Sequence, residues 1–206
     1  MAIQWESVMP RSLKKAKISA LTPKLAKKIW KVDAWLDTMP EGMVTSWRAH
    51  LVQFPDGILP LGGIGVDPGA NVGVSCIMAE DVAVTFQTHL NRAGFDIVQF
   101  LDAIQGLPLL MPSHVTFSTP VVVEGAAYGP KFGQPLLGQV RGAIILGFHN
   151  AGFEHIAEVP PLSIRRKVFG DGKIQPIEFW NHDKDERPIW KKDEADALSM
   201  AICAGI

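Results

Sequence analysis

From about Leu61 the chain falls into short apolar runs, Gly62–Asp67, Val72–Ala79 and Val82–Thr88, separated by Asp67-Pro68-Gly69-Ala70 and by Glu80-Asp81. Runs of this length bounded by turn residues read as strands, and three joined by tight turns read as an antiparallel meander. The pattern then predicts a helix over Phe95–Gln105, a strand over Val121–Glu124 and a mostly buried, glycine-bearing helix over Gly133–Asn150. A further strand is expected near Glu154–Glu158, and a last helix opens near Asp193. Between these two, Ser163–Phe169 runs toward Gly170-Asp171-Gly172-Lys173, and the plain reading of its Arg165-Arg166-Lys167 is a solvated strand edge. Meander, helix, strand, helix, strand, helix is an α/β order.

Residues 1–60 have a different character. A basic, helix-prone stretch spans Ser12–Met39, and a second short helical candidate lies around Ser46–Val52. In the first, Ile18, Leu21, Leu25, Ile29, Val32, Trp35 and Leu36 recur at helical spacing, and Lys14, Lys15, Lys17, Lys24, Lys27, Lys28 and Lys31 form the polar side. Its tryptophans read as core or interface rather than as stacking platforms.

Composition narrows the class. A chain of 206 residues with 47% hydrophobic content can bury one substantial core, or one domain plus a small appendage. The formal net charge is −1, so any surface that attracts polyanions must be local. Cys76 and Cys203 are widely spaced, which favours neither a disulfide framework nor a zinc site, and the histidines match no zinc spacing. With neither a secretory leader nor a run of about 18 apolar residues, a cytoplasmic protein without a membrane partner is expected.

The candidate chemistry lies in carboxylates at element ends. Asp67 closes the first strand of the meander, Glu124 closes a later apolar strand, and Asp193 and Asp196 stand three apart at the start of an otherwise small, apolar helix. Residues at i and i+3 share a helix face, so these two acids can reach one site. Several carboxylates at the ends of buried elements are costly unless a cation pairs with them, and hard oxygen ligands suit Mg²⁺. Two such ions about 3.5–4 Å apart stabilise the attacking and leaving oxygens of phosphodiester hydrolysis.

The series Gly65-Val66-Asp67-Pro68-Gly69 with Gly73-Val74, Val123-Glu124, Gly138-Gln139-Val140-Arg141-Gly142-Ala143, Gly170-Asp171-Gly172-Lys173 and Asp193-Glu194-Ala195-Asp196-Ala197-Leu198 resembles the RuvC family of Holliday-junction resolvases. The resemblance runs from about Gly62 to the C-terminus. It implies an α/β, ribonuclease H-like mixed sheet, an antiparallel meander plus parallel strands flanked by helices, with residues 61–206 as the nuclease domain and 1–60 as a basic helical N-terminal extension. It further implies a homodimer that nicks four-way DNA junctions symmetrically, with Mg²⁺ or Mn²⁺, two per active site, held by Asp67, Glu124, Asp193 and Asp196. Arg165, with Arg166, Lys167, Lys173 and Arg141, falls to DNA binding, and Tyr128 to an aromatic wedge after the catalytic glutamate. Two departures stand out. Sixty residues precede the first strand, and the segment between Gly172 and Asp193 carries Pro176, Trp180 and Pro188 where relatives place a basic helix.

Since the acids set the chemistry and not the substrate, a ribonuclease H-like nuclease acting on flaps, forks or RNA stands as an alternative, and a non-cleaving DNA-binding or assembly protein as another. The lysine-rich N-terminal stretch reads equally as a solvated face and as a DNA-contacting arm.

Overall fold

The computed structural model describes residues 16–54, 57, 59–60, 62–69, 71–126, 134–180 and 191–206. Among them a seven-stranded mixed sheet forms the middle layer. The meander is present as β3 (Ile64–Asp67), β4 (Asn71–Ala79) and β5 (Val82–Leu90), each antiparallel to the next. On the other side of β3, β6 (Val121–Glu124) and β7 (Ile156–Val159) run parallel to it.

The N-terminal segment differs from its expectation in an instructive way. Lys17–Ala20 is a strand, β1, and Val44–Gln53 is a strand, β2, where a short helix was expected around Ser46–Val52. Two short helices, α1 (Pro23–Trp30) and α2 (Val32–Leu36), lie between them. The α1 start is set by Thr22, whose side chain accepts a hydrogen bond from the Leu25 backbone, with Pro23 next, and Lys31 ends the helix in a left-handed conformation. β2 pairs antiparallel with β5 from Val44↔Leu90 to Gln53↔Val82, giving the sheet order β1-β2-β5-β4-β3-β6-β7. The local run Ser46–Val52 fits a helix poorly once a partner strand is available, because alternate side chains then reach opposite faces. Trp47 stacks on Phe86 on one face, and His50 is buried toward the other.

Helices cover both faces. On one, α1 and α2 pack with α3 (Ile97–Gln105) and α4 (Gln134–Asn150) over Val66, Val74, Phe86, Val121 and Val123. Trp30 and Trp35 are fully buried there, against Phe86, as expected of core tryptophans. On the other face α5 (Pro161–Phe169), α6 (Pro176–Trp180) and α7 (Lys192–Gly205) pack over Val52, Ile77, Ala83 and Val122. Arg165–Lys167 thus belong to a helix and not to a strand edge. No described helix is long and apolar enough to cross a membrane.

α7 lies unusually close to the sheet. Gly63, just before β3, and Gly65 on β3 face the Ala201 and Ala197 carbonyls, and Gly73 on β4 faces the Asp193 backbone; a Cβ at any of the three would overlap the helix. Two residues of strand span about 6.6 Å and four residues of helix about 6 Å, so the two spacings run nearly in step. This contact sets the N-terminal turn of α7, with its acids, against the ends of β3 and β4.

Candidate active site

β3 and β6 are parallel neighbours in register Val66↔Val123, and each ends one residue later in an acid, Asp67 and Glu124. Both carboxylates therefore emerge side by side at the C-terminal edge of the parallel strands, where α/β sheets hold their ligands. Asp196 approaches from the first turns of α7. Ligand atoms of Asp67, Glu124 and Asp196 all lie within 4.8 Å of one another.

Three acids this close oppose one another's ionisation. Burial, then the charges of Glu124, Asp196 and Asp193, hold the Asp67 carboxyl well above the ordinary range, with Lys192 working against them. Burial and Asp196 likewise push Glu124 up, partly offset by a hydrogen bond with Asp67 and by the positive charges of Lys192 and Arg165. Such a cluster is short of positive charge. The donor set, carboxylate oxygens alone, fits a hard divalent cation and not a soft one.

The other expected site residues divide. Asp193 is close enough to raise Asp67, but its Oδ2 accepts a 2.6 Å hydrogen bond from Gln87 Nε2 on β5, and its carboxylate is not part of the 4.8 Å group. Burial raises its own carboxyl too. Arg165 flanks the cleft formed by Glu124, Pro161, Asp196 and Ser199, where its charge favours the ionised Glu124. Arg166 is exposed on α5. Lys167 Nζ donates to the Cys203 carbonyl at 3.3 Å, a contact with the last turn of α7. Lys173 is exposed in the turn after α5, its backbone N–H donating to Asp171 Oδ1 at 2.9 Å. Arg141 is buried on α4 with its Nε 3.3 Å from Glu158 Oε1 on β7, so its guanidinium is engaged within the protein. Tyr128 lies outside the described residues.

Three neighbours of the site escaped the sequence reading. Lys192 Nζ donates to Asp196 Oδ2 at 2.6 Å, a pair four apart on one helix and so legible from spacing. The acids hold this ammonium: burial alone favours its neutral form, and Asp196, Asp67 and Glu124 reverse that to raise its pKa. Gln87 reaches Asp193 across 106 residues of sequence, and no local pattern announces it. Glu194 reads locally as a charge placed at a helix N-terminus. In the structure it is fully buried, with His50 Nδ1 donating to its Oε1 at 2.6 Å.

No protein-family model matches the chain, and no curated protein does. Solved structures do. The chain is similar to the Thermus thermophilus RuvC structure, with 18% identity and a TM-score of 0.50 over 68% of this chain and 90% of that one. The structure of T. thermophilus RuvC in complex with Holliday junction substrate is similar at 16% identity and a TM-score of 0.49, over 68% of this chain and 88% of that one. The chain thus has the RuvC-like, ribonuclease H-like fold, a mixed sheet with antiparallel and parallel strands flanked by helices.

Proposed function

We propose that this protein is a metal-dependent, structure-selective DNA endonuclease that resolves four-way junctions by phosphodiester hydrolysis, acting as a homodimer in DNA recombination and repair. The observation that carries the reading is the convergence of Asp67, Glu124 and Asp196 from two strand ends and one helix, on a fold like that of T. thermophilus RuvC. The motif resemblance along Gly62–Ile206 points the same way.

Asp67, Glu124 and Asp196 are the residues to hold Mg²⁺ or Mn²⁺, with Asp193 a fourth ligand once it leaves Gln87. A divalent metal held by these residues, two ions in this reading, would supply activation of water and stabilisation of charge on the leaving oxygen. Lys192 pairs with Asp196 and would give up that carboxylate to a bound cation. Arg165, beside Glu124, is placed to bind a phosphate oxygen and offset charge that develops on it. Arg166 and Lys173, both exposed, extend the phosphate-binding surface. In this reading Arg141, paired with Glu158, serves the protein's own structure rather than that surface. A cytoplasmic site of action goes with this function.

Cleavage of a labelled synthetic four-way junction, beside matched duplex, flap, fork, RNA–DNA and single-stranded substrates, tests the proposal in Mg²⁺, Mn²⁺ or EDTA. Paired symmetric nicks confined to the junction and abolished by EDTA are expected. Cutting of flaps, forks or RNA instead would keep the acids and reassign the substrate, and binding without any cutting would assign the chain to the non-cleaving class.

A further inference from the structure

Glu194 has no part in the proposed cluster, yet it is the most completely enclosed acid near it. Its side chain is fully buried between Asp193 and Asp196 in sequence. A carboxylate there needs donors. Oε1 accepts from His50 Nδ1 at 2.6 Å and from Thr85 Oγ1 at 3.1 Å, and Oε2 accepts from the Lys191 backbone N–H at 3.1 Å with Arg48 Nε 3.6 Å away. His50 and Arg48 are on β2, and Thr85 is on β5. Arg48 Nε also donates to Gln87 Oε1 at 2.8 Å, and Gln87 in turn donates to Asp193. One polar network therefore runs from β2 to both acids that open α7.

Resting on the metal-site reading above, we infer that His50 and Glu194 are a positioning pair, through which the added strand β2 fixes the rotation and register of α7 and so the placement of Asp196 and Asp193 for the metal. The need for such a pair follows from how α7 sits. Gly63, Gly65 and Gly73 let it approach closely but offer no side-chain ridge to stop it turning or sliding. Successive helical residues are about 100° apart and residues three apart share a face, so clamping Glu194 toward β2 and β5 fixes the rotation that turns Asp193 and Asp196 together toward the neighbouring face. The clamp sits in the same turn as the acids, where a small rotation displaces a ligand most. Glu194 touches no reacting atom in this scheme. Its effect passes through the helix.

The test is Mn²⁺ binding by the full chain without DNA, followed by electron paramagnetic resonance and calorimetry, each variant being held well below its own unfolding temperature. His50→Ala is expected to bind Mn²⁺ about 10- to 100-fold more weakly, the range seen when outer partners of metal ligands are lost. His50→Asn, whose amide can donate from near the Nδ1 position, is expected to recover most of that loss. A folded His50→Ala protein with wild-type affinity overturns the inference, and so does an Asn variant no better than Ala. Should His50→Ala fail to fold, Thr85→Val decides in its place: weakened Mn²⁺ binding supports the pair and unchanged binding overturns it. If the wild-type chain shows no Mn²⁺ binding that Asp67→Asn removes, the metal-site reading itself fails and takes the inference with it.

Discussion

Replacing Gly65 by alanine adds one methyl group on the face of β3 that carries α7. A Cβ there would stand 2.7 Å from Met200 Cβ and closer still to the Ala197 carbonyl oxygen and the Ala201 nitrogen. Bringing Met200 Cβ alone out to the 3.4 Å of ordinary contact takes 0.7 Å, and the two backbone atoms require more. Backbone cannot rotate away as a flexible side chain can, so the helix itself must lift. Overpacking of this kind costs about 1–3 kcal/mol, and the stiffer unfolded chain returns about 0.4–1 kcal/mol of it. At about 2–4 °C per kcal/mol for a chain of this size, Tm falls by a few degrees. The effect on cleavage is expected to be far larger. Asp196 rides on α7, and a misplacement of about 1 Å at a catalytic site costs on the order of 10²-fold in rate. Thermal melts, single-turnover junction cleavage in saturating Mg²⁺ and junction affinity in EDTA measure the three quantities on one preparation. Wild-type cleavage by a variant with an unshifted Tm would refute the idea that the glycine contact seats the acids.

Asp67→Asn is expected to abolish cleavage while leaving junction binding in EDTA intact, and equal loss of both counts against that division of roles. The same variant reports on pH. Because the folded Asp67 pKa lies above its unfolded value, the native state binds more protons than the unfolded state between the two, so metal-free stability falls as pH rises through that window. Asp67→Asn removes this penalty, so its Tm in EDTA should exceed the wild type's at neutral pH and converge with it at acid pH; added Mg²⁺ should raise the wild-type Tm and not the variant's. Arg141→Ala should lower stability by about 0.5–1.5 kcal/mol and leave the salt dependence of junction binding unchanged, whereas Arg166→Ala should make that dependence shallower; the reverse pattern would return Arg141 to the DNA surface. Removing residues 1–60 strips β2 from β5 and uncovers Phe86, so the truncated chain should fail to give a cooperative melt; a stable, junction-binding 61–206 fragment would show that the added strands are dispensable.

Much of this protein is written locally. The apolar runs of β3, β4 and β5, the acids that close β3 and β6, and the i, i+3 pair on α7 all depend on periodicities of two or 3.6 residues, which are set by backbone geometry and visible in any short window. What the sequence left open is long-range. Val44–Gln53 became a strand because β5 offered an edge, Arg165–Lys167 became helix, and Arg141 turned inward to Glu158. Asp193 went to Gln87 and Glu194 to His50, over separations of 106 and 144 residues. A buried carboxylate takes whichever donors the packed layers bring within reach, and its identity as ligand, anchor or cap is decided only when distant strands and helices meet.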